Sequence, residues 1–523
     1  MSPNNPSVIR LLPKRRKGIL RLVFSRLLLF LILIALQVLI LMLIYRWTIQ
    51  IRPYYNAFRV TFLGMMVIYL FNSDMDHTAK LTWLAIISLF PIPGAVLLWY
   101  TQNDLGHRTM MGRIYQLIYD TKGMIRQNPA VLMKQELIDS GMDDLCRYVN
   151  RTGCFPIFKN TDVTFFPSGE DMFEALITEL KRARHFIFLE YFILGEGLMW
   201  GTILGILKEK AAQGVDVRVM YDGMCEISSL SFDYPERIQK LGIRCKDFAP
   251  IRPVISTHYN YRDHRKILVI DNQIAFNGGI NLSDEYINRT RRFGYWKDTA
   301  VMLRGEAVSS FTLMFLQMWN ITERNADWSP LRDYPAAPVR AKGYVMPYGD
   351  VPMDGDKVGE NVYLDILYRA QKYVHIMTPY LILDGEMENA LKYAAQRGVD
   401  VKIILPGIPD KPYAYAIAKT YYNSLTDAGV GIYEYKPGFV HAKVFVSDNC
   451  KAVVGSVNLD YRSLYHHFEC ATYLYRTDCI ADIERDFKRT LRLCRKVTPI
   501  TIRNEKLRYK ILGGLMRIVA PLL

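Results

Sequence analysis

The sequence predicts an α/β protein built from two related halves around a pseudo-twofold site, preceded by N-terminal transmembrane helices. Three observations carry this. A helix end, a Gly stop and a strand start occur twice, as Ala211–Arg218 and Ala394–Lys402. Downstream of each copy a polar signature recurs with identical internal offsets. Ahead of both lie uncharged apolar stretches of membrane-spanning length.

The chain has 523 residues, more than one ordinary core organises. Half of them are hydrophobic and 12% aromatic, which excludes disorder over most of the length. Leu27–Tyr45 is free of charge and bounded by Arg26 and Arg46, and is read as a first span. Leu81–Tyr100 is read as a second, with Pro91, Pro93 and Gly94 inside it. Val60–Phe71 is apolar but short, either an interfacial segment or a third span if extended past Arg59. Residues 1–100 are thus a membrane anchor of two or three segments. The Lys14–Lys17 cluster places the N-terminus in the cytoplasm, and two spans return the catalytic body there.

The net charge of +15 is concentrated at the ends. The first 59 residues hold ten Lys or Arg and no acid, and the last 43 hold a net +7, so the stretch between is close to neutral. A nucleic-acid enzyme spreads basic charge over its working face. Basic ends beside apolar segments suit an anionic bilayer instead, so the expected partner is lipid and not nucleic acid. The eight cysteines form no C-x-x-C pair and no zinc-spaced cluster, and are read as reduced thiols.

Residues 101–160 are read as a helical connector, 161–325 as the first half, 326–360 as a linker rich in Pro, Gly and Asp, and 361–500 as the second half. In the first half a helical stretch, Asp171–Ala183, leads into an apolar strand, Phe186–Leu194. Residues 501–523 are read as a C-terminal membrane-surface helix.

The chemistry sits in the repeated signature. The first copy is His264, Lys266, Asp271, Gly278, Gly279 and Asn281; the second is His441, Lys443, Asp448, Gly455, Ser456 and Asn458. Residues two apart on a strand share a face, so each His sits beside its own Lys. The small residues let backbone approach a ligand closely. Two copies facing one another offer two imidazoles around one anion, with cations and amides for its oxygens, as two-step displacement at a phosphodiester requires. Asp271 and Asp448, five residues past each Lys, fall on the opposite face or beyond the strand end, which favours a structural role.

The paired signature resembles the H-K-D repeat of the phospholipase D superfamily over residues 160–500. The apolar N-terminal segments, Leu189-Glu190-Tyr191, Asn260-Tyr261-Arg262 and Asn458-Leu459-Asp460-Tyr461-Arg462-Ser463 narrow the resemblance to the bacterial cardiolipin synthases. Asp263 stands where that family often has Asn.

The resemblance implies phosphatidyl transfer between two phosphatidylglycerol molecules, giving cardiolipin and glycerol through a phosphohistidine. It implies His264 as nucleophile and His441 as acid and base, with the reverse order open. It also implies Lys266, Lys443, Asn281, Asn458 and Ser456 around the phosphate, and no metal or other cofactor. Carboxylates on following strands are expected to orient the histidines: Glu469 from the second copy and, after a six-residue insertion, Asp298 from the first. Glu190 and Tyr191 are candidates for the polar headgroup, and His466 and His467 are read as ordinary residues. A different acceptor alcohol, water included, is the alternative, and a membrane-anchored nuclease is a more distant one.

Overall fold

A computed structural model of the chain describes residues 8–11, 51–102, 105–250, 261–352 and 355–522, together with Ala35, Leu39 and Met42. The Lys14–Lys17 cluster, most of the Leu27–Tyr45 span and Asn260 lie outside the described residues.

The strands of the first half are β1 (Thr161–Phe166), β2 (Phe186–Tyr191), β3 (Asp216–Asp222), β4 (Arg244–Phe248), β5 (Arg262–Asp263), β6 (Lys266–Ile270), β7 (Ile274–Gly278), β8 (Tyr295–Lys297) and β9 (Ala300–Gly305). Those of the second are β10 (Tyr344–Asp350), β11 (Tyr373–Met377), β12 (Asp400–Pro406), β13 (Gly431–Tyr435), β14 (Gly438–Val440), β15 (Val444–Ser447), β16 (Lys451–Gly455), β17 (His467–Tyr475) and β18 (Cys494–Lys496). The first sheet runs β1-β9-β7-β6-β2-β3-β4. The second runs β10-β17-β16-β15-β11-β12-β13-β18, the same order with one added edge strand. The two copies of the sequence repeat are therefore two copies of one sheet.

Local chemistry explains the elements. Ser168 accepts from Asp171 N–H and starts helix Gly169–Leu180; Asp384 does the same for helix Gly385–Gln396 through Met387 N–H. Residues Val308–Trp319 are apolar nearly all round, and the helix they form is buried against β2, β6, β7, β9 and β10. Central strands β6 and β15 are buried throughout, as their unbroken apolar runs require.

The signature aspartates are structural. Asp271 accepts from the N–H groups of Arg184, His185 and Phe186 at 2.8, 2.7 and 2.7 Å. Asp448 accepts from those of Gln371, Lys372 and Tyr373 at 2.8, 2.9 and 2.9 Å. Both residues have positive φ, 53° and 54°, a conformation Asp tolerates better than most side chains. Each one ties the turn after a signature strand to the start of the neighbouring strand, β2 or β11.

Three segments depart from the sequence reading. The expected second span, Leu81–Tyr100, is two helices, His77–Leu89 and Pro91–Gln102. Phe90 leaves the helical conformation (φ −133°, ψ 76°) because Pro91 follows it, and Gly94 then lets the second helix approach Ile87. Val60–Phe71 is the end of a 21-residue helix, Ile51–Phe71, that carries Arg52 and Arg59. Among the described residues, no helix is long and apolar enough to cross a membrane. The expected linker, 326–360, contains β10, which pairs antiparallel with β17 and closes one edge of the second sheet. Pro347 reads as a turn residue, yet an edge strand accommodates its missing N–H.

The two ends of the chain dock on the body. Ile9 N–H donates to Gly201 O (3.0 Å), and Leu11 N–H reaches the Glu196 carboxylate (3.2 and 3.3 Å). The C-terminal helix Leu507–Ile518 packs on helix Pro412–Asp427, with Gly513 against Ala416 O, and leaves Leu507, Ile511, Leu515 and Ile518 exposed. The eight cysteines are all free thiols.

Asp271→Ala or Asp448→Ala should each lower stability by roughly 1.5–3 kcal/mol, because charge-assisted bonds to three backbone N–H groups vanish. Asn at either position should cost less, since an amide oxygen still accepts. Denaturant unfolding of the purified variants measures both.

Candidate active site

The halves meet through two short reciprocal pairings. β5, just before His264, runs parallel to the start of β17, with Arg262 opposite His467 and Asp263 opposite Phe468. β14, just before His441, runs parallel to β8, with Val440 opposite Lys297. Each signature histidine then donates its backbone N–H across the boundary: His264 to Phe468 O at 2.9 Å, His441 to Lys297 O at 2.7 Å. Those carbonyls belong to the residues just before Glu469 and Asp298.

The side chains follow the same exchange. His264 Nδ1 lies 2.8 Å from Glu469 Oε1, and His441 Nδ1 lies 2.7 Å from Asp298 Oδ2. Glu469 and Asp298 are the two carboxylates the sequence singles out, but each holds the histidine of the other half. With Nδ1 donating to a carboxylate, Nε2 of each ring carries the lone pair.

The carboxylates are held in turn. Ser456 Oγ donates to Glu469 Oε2, and Thr299 N–H donates to Asp298 Oδ1 at 2.8 Å. Ser456 is thus committed to the orienting carboxylate. At the matching position of the first half a Cβ on Gly279 would lie 2.2 Å from Asp298 Oδ1 and 3.1 Å from His441 O. Glycine there is a requirement of Asp298 and His441 packing over it.

The two ammonium groups are buried. Lys266 Nζ donates to His264 O and Lys443 Nζ to His441 O, so each lysine folds back onto its own histidine's backbone. Burial pulls the Lys266 ammonium down to about 8 and that of Lys443 to about 7. Burial, then the charge of Lys443, takes His441 to about 4; burial, then Lys266, takes His264 well below the usual range. Burial raises Glu469 well above an ordinary carboxyl. It acts the same way on Asp298, but His441 and Lys443 outweigh it and the net direction is down. Both rings are therefore biased toward the neutral form that a nucleophile or base needs; an anion bound beside them would work the other way and favour the imidazolium that an acid needs.

The remaining candidates divide. Asn458 is buried and its Oδ1 has no partner among the described residues. Asn281 accepts from Ile193 N–H (3.0 Å) and donates to Tyr286 Oη (2.8 Å), which fixes it in the cleft wall. Glu190 and Tyr191 are fully buried on β2. Glu190 faces Arg265 at 3.9 Å, and Tyr191 lies in the core of the first half. Asp263 is turned from the site, accepting from Arg265 N–H while its own N–H donates to Asp222.

The sequence reading passed over His467. It opens β17 two residues before Glu469, so both side chains share one face. Its ring centre is 5.4 Å from that of His264. The corresponding position in the first half, two before Asp298, is Trp296, whose ring centre is 5.2 Å from that of His441. His264, His467 and Glu469 bring metal-capable atoms within 4.8 Å of one another, although one Glu469 oxygen is already on His264.

Comparison with known proteins gives the family. Residues 176–319 and 363–491 match the family described as "Cardiolipin synthase, PLD-like domain". A relative from Streptococcus mutans, titled only an uncharacterized protein, is 58% identical over 87% of this chain and 99% of its own. "Cardiolipin synthase 2" of Bacillus anthracis is 34% identical over 88% of this chain and 90% of its own. "Cardiolipin synthase" of Halalkalibacterium halodurans is 32% identical over 89% and 92%. The crystal structure of a phosphatidylserine synthase from Haemophilus influenzae shares the fold, with a TM-score of 0.55 at 16% identity over 73% of this chain and 98% of that one.

Gly279→Ala should push Asp298 off His441 and lower kcat/KM by about ten- to hundredfold, with the protein still folded, since a 1 Å misplacement at a site costs on this scale. Steady-state kinetics beside a thermal melt checks it.

Proposed function

This chain belongs to the phospholipase D-like family of bacterial cardiolipin synthases, and from that membership we propose that it joins two phosphatidylglycerol molecules into cardiolipin, releasing glycerol. The family makes it an enzyme of the phospholipase D type. The acceptor, the covalent intermediate and the residue roles are the proposal.

His264 Nε2 attacks the phosphorus of the first phosphatidylglycerol. The N–P bond forms as the bond to the glycerol oxygen breaks, and His441, protonated at Nε2, gives that oxygen its proton. His441, now neutral, takes a proton from the headgroup hydroxyl of a second phosphatidylglycerol. That oxygen displaces His264 from phosphorus. Lys266 and Lys443 hold the non-bridging oxygens, with the Asn458 amide and the remaining N–H of Asn281 beside them. The two carboxylates keep Nδ1–H in place and stabilise whichever ring becomes cationic. The observation that carries the reading is the pair of carboxylate-held imidazoles with two buried ammonium groups, because it supplies nucleophile, acid, base and counter-charge in one cleft.

Membrane placement rests on two features. Residues 8–11 bond the body at Gly201 and Glu196, so they and the body stand on one side of a membrane. The exposed stripe Leu507, Ile511, Leu515 and Ile518, with Lys510 and Arg517 on the same helix, suits an anionic membrane surface, the cytoplasmic one in this proposal.

Labelled phosphatidylglycerol as sole lipid should yield cardiolipin and free glycerol in chelator as well as without it. His264→Ala and His441→Ala should each lose about 10²–10⁴-fold or more. With a p-nitrophenyl phosphodiester donor, His441→Ala should stall as an acid-labile adduct that peptide mapping places on His264. Phosphatidic acid as the main product would mean water is the acceptor, and an adduct on His441 in the His264→Ala protein would reverse the two roles.

A further inference from the structure

His467 is a buried imidazole that the mechanism above does not use. It is 8% exposed, and neither ring nitrogen has a hydrogen-bond partner among the described residues. The nearest carboxylate oxygen, Glu469 Oε1, is 3.9 Å from Nδ1, beyond hydrogen-bond range, and is already on His264. Neutral imidazole always has one N–H and one bare nitrogen, and a buried donor left without an acceptor is costly. The protein leaves this one unpaired beside His264.

Position narrows what closes it. The His467 ring stands 5.4 Å from the His264 ring and 6.5 Å from Phe192, itself packed on His264 at 5.0 Å. An attacking nitrogen and its phosphorus sit about 3–3.5 Å apart in a near-attack arrangement, so the oxygens on that phosphorus come within reach of the neighbouring ring. Burial, then the charges of Arg462 and His466, and then Lys266, hold the ring neutral. The same cations favour an anion as its partner and disfavour an ammonium headgroup. The pseudo-twofold mate, Trp296, shows that both halves place a ring against the reacting imidazole from this position, and only the second half makes that ring a histidine.

We propose that His467 donates a hydrogen bond to a non-bridging oxygen of the bound phosphodiester, as a third substrate-contacting imidazole on the His264 side of the cleft. The two sides are then chemically unequal: His264 works beside a polar ring, and His441 beside Trp296, Tyr286 and Phe439. The proposal rests on the reading of this cleft as a phosphodiester site.

The test uses the full chain in lipid–detergent micelles, with His467→Phe and His467→Asn. Turnover is measured with phosphatidylglycerol alone and with phosphatidylmethanol, whose headgroup has no hydroxyl, in the presence of added glycerol as the acceptor alcohol, so that methanol is released and phosphatidylglycerol formed. Binding of inorganic phosphate is measured by calorimetry without turnover. Phe fills the space and removes the donor, so kcat/KM should fall about ten- to hundredfold on both lipids and phosphate binding should weaken about tenfold. Asn keeps a side-chain N–H and should stay within about fivefold of wild type in all three measurements. A loss confined to phosphatidylglycerol would overturn the proposal in favour of a headgroup contact. A Phe variant within twofold of wild type, or an Asn variant as impaired as Phe, would overturn it in favour of packing. If wild type turned over neither lipid, the proposed function would fail, and the phosphate measurement would still decide the role of His467.

Discussion

The exchange of carboxylates between the two halves is the constraint on which this structure depends. Neither half contains both members of an imidazole–carboxylate pair. His264 needs Glu469 and His441 needs Asp298, and each histidine's backbone N–H is tied to the residue preceding its carboxylate. The short pairings of β5 with β17 and β14 with β8 exist at the two points where this exchange occurs. A buried imidazole–carboxylate pair is sensitive to small displacements, because removing one partner strands the other without solvent. The duplicated sheets therefore have to meet in one register. Gly279 fits the same logic, since it makes room for a carboxylate that belongs to the other histidine.

The exchange also explains the electrostatics. Two lysines and two histidines are buried in one cleft, and the two carboxylates beside them supply opposing charge. Burial is the largest influence on every cation there, and it takes Lys443 down to about 7 and Lys266 to about 8. The halves are not equivalent partners in this. Asp298 is held low by His441 and Lys443, whereas burial dominates at Glu469, and His467 and Trp296 occupy matching positions with different chemistry.

Much of this was legible in the sequence because it repeats. Identical offsets in His264–Asn281 and His441–Asn458 give two matching strands and turns, but the strand period does not reach the histidines: β6 opens at Lys266 and β15 at Val444, so His264 and His441 stand before the strands and each Lys meets its histidine at the backbone carbonyl. The face argument that set Asp271 and Asp448 aside from chemistry agrees with their three backbone N–H partners each. The partner of each carboxylate was not legible, because a spacing within one half carries no information on pairing between halves. His467 lies outside the repeated signature, so its spacing carries no signal; β17 opens at His467 and sets it on the same face as Glu469. β10 was hidden in a Pro- and Gly-rich stretch that an edge strand tolerates. Leu81–Tyr100 is two helices and not one for the opposite reason: hydropathy counts apolar residues, while Pro91 acts on the conformation of Phe90 before it.

Hydrogen–deuterium exchange at the C2 position of each histidine, read by mass spectrometry against pH, tests the exchanged pairing most directly because it needs no turnover. Peptides carrying His264 and His441 are separable, so each imidazole reports its own titration and access. The account expects Glu469→Gln to alter the profile of His264 and leave His441 close to wild type, and Asp298→Asn to alter His441 and leave His264 close to wild type. Glu469→Gln acting on His441, or either variant acting equally on both histidines, would contradict it.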